Sequence, residues 1–227
     1  MKRLLPGVVT LCAILGAAPS LAAQAIGLPV YNAGIPTGLG LYADIGFPND
    51  AAGGGTSFGG TARLGIGPFG ATAMLAYTHV GDETVITPGG PITTPGRSLT
   101  SVGGSLNYKV FGGPLIPLTV TLQAGAGYAK EDDVKLYRFP LGLGLALTIP
   151  NPALAIKPWL APRVDIARVS STAGSETETN FGISGGVELN LLSGLGLHAS
   201  YDRVFAGDED PSIFAAGLHY TLRVPGL

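Results

Sequence analysis

After its first 25 residues the 227-residue chain has no cysteine, since its single Cys12 lies at the N-terminal end. That excludes a disulfide framework, a thiolate metal site and cysteine-based catalysis from the rest of the chain. No later run reaches the ~18 uncharged apolar residues that a membrane helix requires. Charge is scarce as well. Asp, Glu, Lys and Arg make up 12% of residues, about half the usual share. The formal net charge of −2 provides no basic footprint for nucleic acid. Glycine is abundant, 36 residues, and the mean hydropathy is +0.38. A hydrophobic average with no helical span fits strands whose apolar residues alternate with small or polar ones.

The N-terminal end has the layout of an export leader. Lys2 and Arg3 form a positive start, Leu4 to Ala18 an apolar core, and Ala23-Gln24-Ala25 a small-x-small cleavage site, with Ser20-Leu21-Ala22 as an alternative. This predicts a secretory signal peptide over 1–25 and a mature chain starting near Ile26. A short anchor helix is the competing reading, but the apolar run is short and interrupted by Pro6 and Gly16. Leu11 stands where a lipoprotein signal would carry a small residue, which argues against lipidation of Cys12. Residues 26–36, with Pro29 and Pro36, are expected as a periplasmic lead-in, and residues 37–227 as one β domain.

The clearest pattern runs from Leu118 to Leu147. Leu118, Val120, Leu122, Ala124, Ala126 and Tyr128 alternate with Thr119, Thr121, Gln123, Gly125, Gly127 and Ala129. A charged turn, Lys130-Glu131-Asp132-Asp133, follows. Tyr137, Phe139, Leu141, Leu143, Leu145 and Leu147 then alternate with Arg138, Pro140, Gly142, Gly144 and Ala146. Successive side chains on a strand point to opposite faces, so this is a hairpin with one greasy and one small, polar face. Each arm has about eleven residues, where soluble strands have about five or six and tilted membrane strands about 9–11. The same unit recurs, giving strands near 37–47, 57–67, 69–78, 99–110, 118–129, 137–148, 156–167, 179–190, 195–203 and 213–223. Connections alternate. Longer or charged loops follow the odd-numbered strands, including a Pro- and Gly-rich loop over 79–98 and a polar loop over 168–178. Short turns follow the even-numbered ones. Phe47, Phe58, Tyr77, Tyr128, Tyr137, Phe181, Tyr201 and Phe214 share the apolar face and the long-loop end, while Phe69, Tyr108 and Tyr220 share that face at the other end. Aromatic rings prefer membrane interfaces, and two such girdles bracket the apolar band of a membrane barrel.

With this alternation, with Lys157-Pro158-Trp159 opening one strand and Tyr201-Asp202 closing another, residues 37–223 resemble the small bacterial outer-membrane β-barrel proteins of the outer membrane protein A-like class. The resemblance implies an all-β, closed, antiparallel up-and-down transmembrane barrel of about ten strands, eight being the alternative. It implies a monomer in the outer membrane of a Gram-negative bacterium with both termini periplasmic. It further implies contact with outer-membrane lipid and lipopolysaccharide, insertion by the barrel assembly machinery, and no cofactor. The end departs from the family pattern. Phe214, Leu218, Tyr220 and Leu222 keep the alternation, but Val224-Pro225-Gly226-Leu227 run on where the family ends on an aromatic residue.

Alternation directs Asp44, Arg63, Lys157, Arg163, Asp165, Glu188, His198, Asp202 and His219 toward the lumen, together with Lys109 and Arg223. Asp44 is expected diagonal to Arg63, and Lys157 near Glu188, as compensating pairs or as groups facing lumenal water. Three chemical readings compete with this one. His198-Ala199-Ser200 resembles the His-x-Ser of outer-membrane lipid A deacylases, but points its side chains away from lipid. His79, Asp82 and Glu83, facing Asp202 and Asp208, form an omptin-like rim without that family's motif. Asp208-Glu209-Asp210 could hold a hard cation, and His198 with His219 could form half of a metal site; solvated loop carboxylates and a lumenal polar pair are the plainer accounts. The expected function is therefore structural, adhesive or narrowly pore-forming, and non-catalytic. An outer-membrane hydrolase and a secreted soluble ligand-binding barrel are the alternatives.

Overall fold

The computed structural model describes residues 25–87, 90–113, 116–151, 154–207 and 210–222, with the side chains of 83–94 left aside. Residues up to Gln24, where a leader is expected, Asp208, Glu209 and the end from Arg223 onward lie outside the described residues, as does the side chain of Glu83.

Among the described residues twelve strands form in chain order: β1 (Gly38–Pro48), β2 (Thr56–Ile66), β3 (Phe69–Val80), β4 (Glu83–Thr87), β5 (Gly90–Thr94), β6 (Arg97–Gly113), β7 (Ile116–Glu131), β8 (Val134–Leu147), β9 (Leu154–Ser171), β10 (Gly174–Leu191), β11 (Leu195–Phe205) and β12 (Ser212–Leu222). Ten of them close an antiparallel barrel, each paired with its neighbour in sequence apart from β3, which skips the β4–β5 hairpin to pair with β6. The ring closes between β1 and β12, from Leu39 opposite Leu222 to Pro48 opposite Ile213. A closed ring pairs every strand edge, the condition for crossing lipid with strands. The short turns use glycine where the backbone demands a positive φ, at Gly67 (58°) between β2 and β3 and at Gly194 (88°) between β10 and β11.

The apolar face points outward. Leu106 is 69% exposed and Phe69 62%, whereas Asp202 is 0% and Arg63 3% exposed. A soluble ligand-binding barrel requires the reverse. The long-loop aromatics lie on the exterior in one belt, with Phe47 stacked on Phe214 at 6.5 Å and Tyr128 against Tyr137 at 5.2 Å. Phe205, stacked on Phe181 at 5.8 Å, joins them.

Two of the expected loops are partly strand. Within 79–98 the Val-, Ile- and Thr-rich runs pair as the separate β4–β5 hairpin. Residues 168–178 continue β9 and β10 into an 18-residue ribbon, with Ser171 opposite Gly174. Their polarity marks them as a water-exposed stretch of sheet rather than as a break in it. The wall from β6 to β10 is consequently taller than that from β11 round to β3.

Candidate functional site in the lumen

The segment expected as a periplasmic lead-in instead lies inside the barrel. Ala25, Val30, Asn32 and Ala33 are each 0% exposed. At one end Ile26 packs with Leu99, Ala129, Leu136 and Val169, all at the long-loop ends of their strands. At the other, Ile35 and Pro36 lie against Gly70 and Gly65, at the β2–β3 turn. Residues 25–36 therefore run the length of the lumen, and residue 25 sits at the opposite end of the barrel from Leu222. The expectation places both ends on the short-turn side; the termini themselves lie outside the described residues. The physical reason that residues 25–36 lie in the lumen is in the sequence: this stretch has no charged residue, and burying Ile26, Leu28 and Val30 removes apolar surface from water.

The wall is shaped to the segment. A Cβ built on Gly46 would stand 2.3 Å from the Gly27 carbonyl oxygen, one on Gly65 1.8 Å from that of Pro36, and one on Gly144 2.4 Å from Asn32 Cγ. Close backbone approach of this kind leaves room only for glycine. Side chains of the wall take up the segment's backbone. Ile26 N–H donates to Ser101 Oγ (2.9 Å) and Val30 N–H to Asp202 Oδ2 (2.9 Å). Gln123 Nε2 donates to the Tyr31 carbonyl (3.2 Å) and Arg63 Nη2 to that of Gly34 (2.5 Å). Thr121 donates to Asn32 Oδ1 at 2.8 Å. Tyr31 is the anchor. Its hydroxyl donates to Glu188, its ring lies 4.8 Å from Trp159 and 5.6 Å from both Tyr42 and His198, and Arg63 sits 4.9 Å above it.

The lumenal charges fall into three linked groups. Arg163 bridges Asp165 and Asp202, each at 2.6 Å, and Arg138 reaches Asp165 at 2.6 Å. Glu188 lies 3.6 Å from Lys157 and 3.8 Å from Arg63, and Tyr42 donates to it at 3.3 Å. Asp44 is 2.6 Å from His198 Nε2, the two histidines meet through Nδ1 at 3.1 Å, and His219 Nε2 is 2.8 Å from Asn190 Oδ1. The structure thus brings Lys157 to Glu188, but takes Asp44 to His198 and Arg63 to Glu188 instead of pairing the two. Lys109 is only partly buried, near the short-turn end. Arg138, Tyr31 and Tyr42 were absent from the expected set. Strand parity already placed Arg138 and Tyr42 inward, whereas Tyr31 precedes the first strand and has no parity to read.

Several residues weighed for hydrolytic chemistry are held by their neighbours. Both ring nitrogens of His198 are engaged, by Asp44 and His219, so neither is free to activate Ser200. At the rim, His79 Nδ1 bonds Ser98 Oγ at 3.0 Å and Asp82 accepts from Gly96 N–H at 2.6 Å. Asp202 is buried in its ion pair, Asp208 lies outside the described residues, and Asp210 is bound by Arg203. Among the described residues, no three His, Cys, Asp or Glu side chains converge as a metal site would need.

No protein-family model matches the chain, and no curated protein matches it in sequence. Among solved structures, the β domain of the Bordetella autotransporter BrkA superposes with a TM-score of 0.52 at 15% identity, over 81% of this chain and 98% of that one. The fold is that of a bacterial outer-membrane β-barrel. Weaker likenesses include the attachment invasion locus protein Ail of Yersinia pestis (TM-score 0.34, 14% identity, 80% of this chain and 96% of that one). The outer membrane protease OmpT of Escherichia coli is another (0.44, 10%, 82% and 94%). Outer-membrane barrels include enzymes and non-enzymes alike, so activity has to be read from the residues of this barrel.

Proposed function

We propose that the protein is a monomeric, non-catalytic outer-membrane barrel, sealed by its own residues 25–36, that plays a structural or adhesive role through its long-loop rim. The observation that carries this reading is the occupied lumen: the segment fills the path that a pore would need. The engagement of His198, His79 and Asp82 by neighbouring side chains and backbone supports a non-catalytic role. In this reading the long loops and the tall β9–β10 ribbon face outward, as is usual for such barrels, and β12 ends on the periplasmic side. Within the band that crosses lipid the closed ring leaves no strand edge that would recruit a second copy.

One feature of the rim favours contact with anionic outer-leaflet lipid such as lipopolysaccharide. Lys130 stands opposite Lys135, and Arg168 opposite Tyr137, just beyond the Tyr128–Tyr137 pair. Alternation sets all three cations on the lipid side, and all are exposed. Arg168 donates to the Ser175 hydroxyl (3.4 Å), and Asp132 and Asp133 lie exposed in the adjacent turn.

Planar-bilayer recording of the purified full chain tests the sealed barrel. The expected trace is flat across the voltage range; sustained unitary steps would overturn the reading.

A further inference from the structure

We propose that the lumen is a binding site for a peptide, filled in cis by residues 25–36, and that withdrawing this ligand leaves an intact barrel with a narrow, water-filled pore. The inference rests on the sealed-barrel reading and extends it: it assigns the lumen a ligand class, an uncharged peptide with a tyrosine anchor, and the barrel beneath it a latent conductance.

The segment is separable from the ring. None of residues 25–36 is a strand, and the ten-strand ladder closes without them. Removing the segment breaks no strand–strand hydrogen bond. What holds it has the form of peptide recognition, in which backbone bonds give affinity and a side-chain pocket gives selectivity. Ser101, Asp202, Gln123 and Arg63 supply the backbone bonds. Tyr42, Trp159 and His198 wall the tyrosine pocket, and Glu188 closes it. The glycines at 46, 65 and 144 shape the seat.

The seam between ligand and wall holds unpartnered polar atoms and a small void. Asn32 Nδ2 of the segment, Trp159 Nε1 beside the Tyr31 ring and Arg63 Nε above it are buried with no hydrogen-bond partner. A cavity of about 20 Å³ runs between Leu28, Pro29 and Tyr31 on one side and Tyr42, Thr61 and Met74 on the other, enough for roughly one water.

The emptied lumen would also tolerate water. Asp44, Asp165, Glu188 and Asp202 lie against Arg63, Arg138, Arg163, Lys157 and His198, and every one of these ion pairs is wall to wall. Withdrawal strands no charge in a dry space. The lining left behind is polar and charge-compensated, as an aqueous passage requires.

The test has three arms, all recorded in planar bilayers after a heat-dependent gel shift has verified closed barrels. First, a barrel lacking residues 25–36 should conduct, and a synthetic peptide of the sequence AIGLPVYNAGIP added to it should block the current. Second, the same peptide with Tyr31→Ala should block about tenfold more weakly, as loss of a buried aromatic anchor implies. Third, the full-length Gly46→Val chain, whose new side chain strikes the Gly27 carbonyl while suiting a strand, should conduct in bursts; this arm needs no deletion to fold. A closed but silent deletion variant, a pore indifferent to the peptide, or a closed and silent Gly46→Val chain would each overturn the inference while leaving the sealed barrel standing. Conductance by the unmodified chain would instead remove the sealed-barrel reading itself.

Discussion

Arg163 makes the tightest set of contacts in the wall, with Asp165 through Nε, Asp202 through Nη2 and the Ser184 hydroxyl at 3.3 Å through Nη1. It is 4% exposed and Asp202 is fully buried. Removing one partner from a buried pair leaves the other charge without compensation, which costs about 3–5 kcal/mol. Arg163→Met should therefore lower the unfolding free energy in detergent or lipid by about that amount, read from denaturant titration. Arg163→Lys should recover only part of the loss, because an ammonium cannot span both carboxylates as the planar guanidinium does. Parity alone made Arg163, Asp165, Asp202, Glu188, His198 and His219 legible as lumenal. The choice of partner was not legible, because it depends on the shear between strands. Asp44 lies opposite Gly59, and Arg63 opposite Gly40, so the two sit four residues apart along β1, and His198 two strands away reaches Asp44 first.

At the scale of strands, the exterior of β8 is the plainest test of orientation. Leu143 is 44% exposed at mid-strand, opposite Leu122. In a bilayer that exposure is to hydrocarbon. Leu143→Arg should cost about 2–4 kcal/mol when the protein is folded into lipid vesicles, whereas a water-facing surface would absorb the change with little effect. The same strand and its neighbours carry the rim cations. The variant with Lys130→Gln, Lys135→Gln and Arg168→Gln should lose the stabilisation that vesicles containing phosphorylated lipid A give over dephosphorylated ones. The wild-type chain should keep that difference, and a thermal-unfolding series in the two vesicle types measures it. Strand positions could be read from sequence because the period of two is strict wherever one face meets lipid. The ends could not: past the membrane both faces of the β9–β10 ribbon meet water, the alternation fades, and Thr, Ser and Glu read as loop although the ladder continues.

The whole barrel predicts its own assay. A ring with no open edge resists unfolding by detergent until heated, so unboiled protein should migrate differently from boiled protein on a gel; identical migration would argue against closure. Ring, strand number and outward apolar face were all implied by the sequence pattern, because each repeats ten times. The contents of the lumen were not, because the occupant is used once. Its one visible trace is Ile26, Leu28 and Val30 alternating in an uncharged stretch, too short to be a spanning strand and too greasy to be a linker.

That occupant also fixes an order of events. Residues 25–36 join directly onto β1, and β1 forms one side of the seam with β12. Loading the lumen after the seam had zipped would require residue 25 to travel the whole length of a finished cylinder, past Tyr31's pocket and the Arg63 side chain. Loading it beforehand requires only that the first and last strands meet last, with the segment already lying in the open trough. With the segment already in the trough, wrapping is the shorter route to a filled barrel during assembly, whereas a peptide added to an emptied barrel has to thread its lumen.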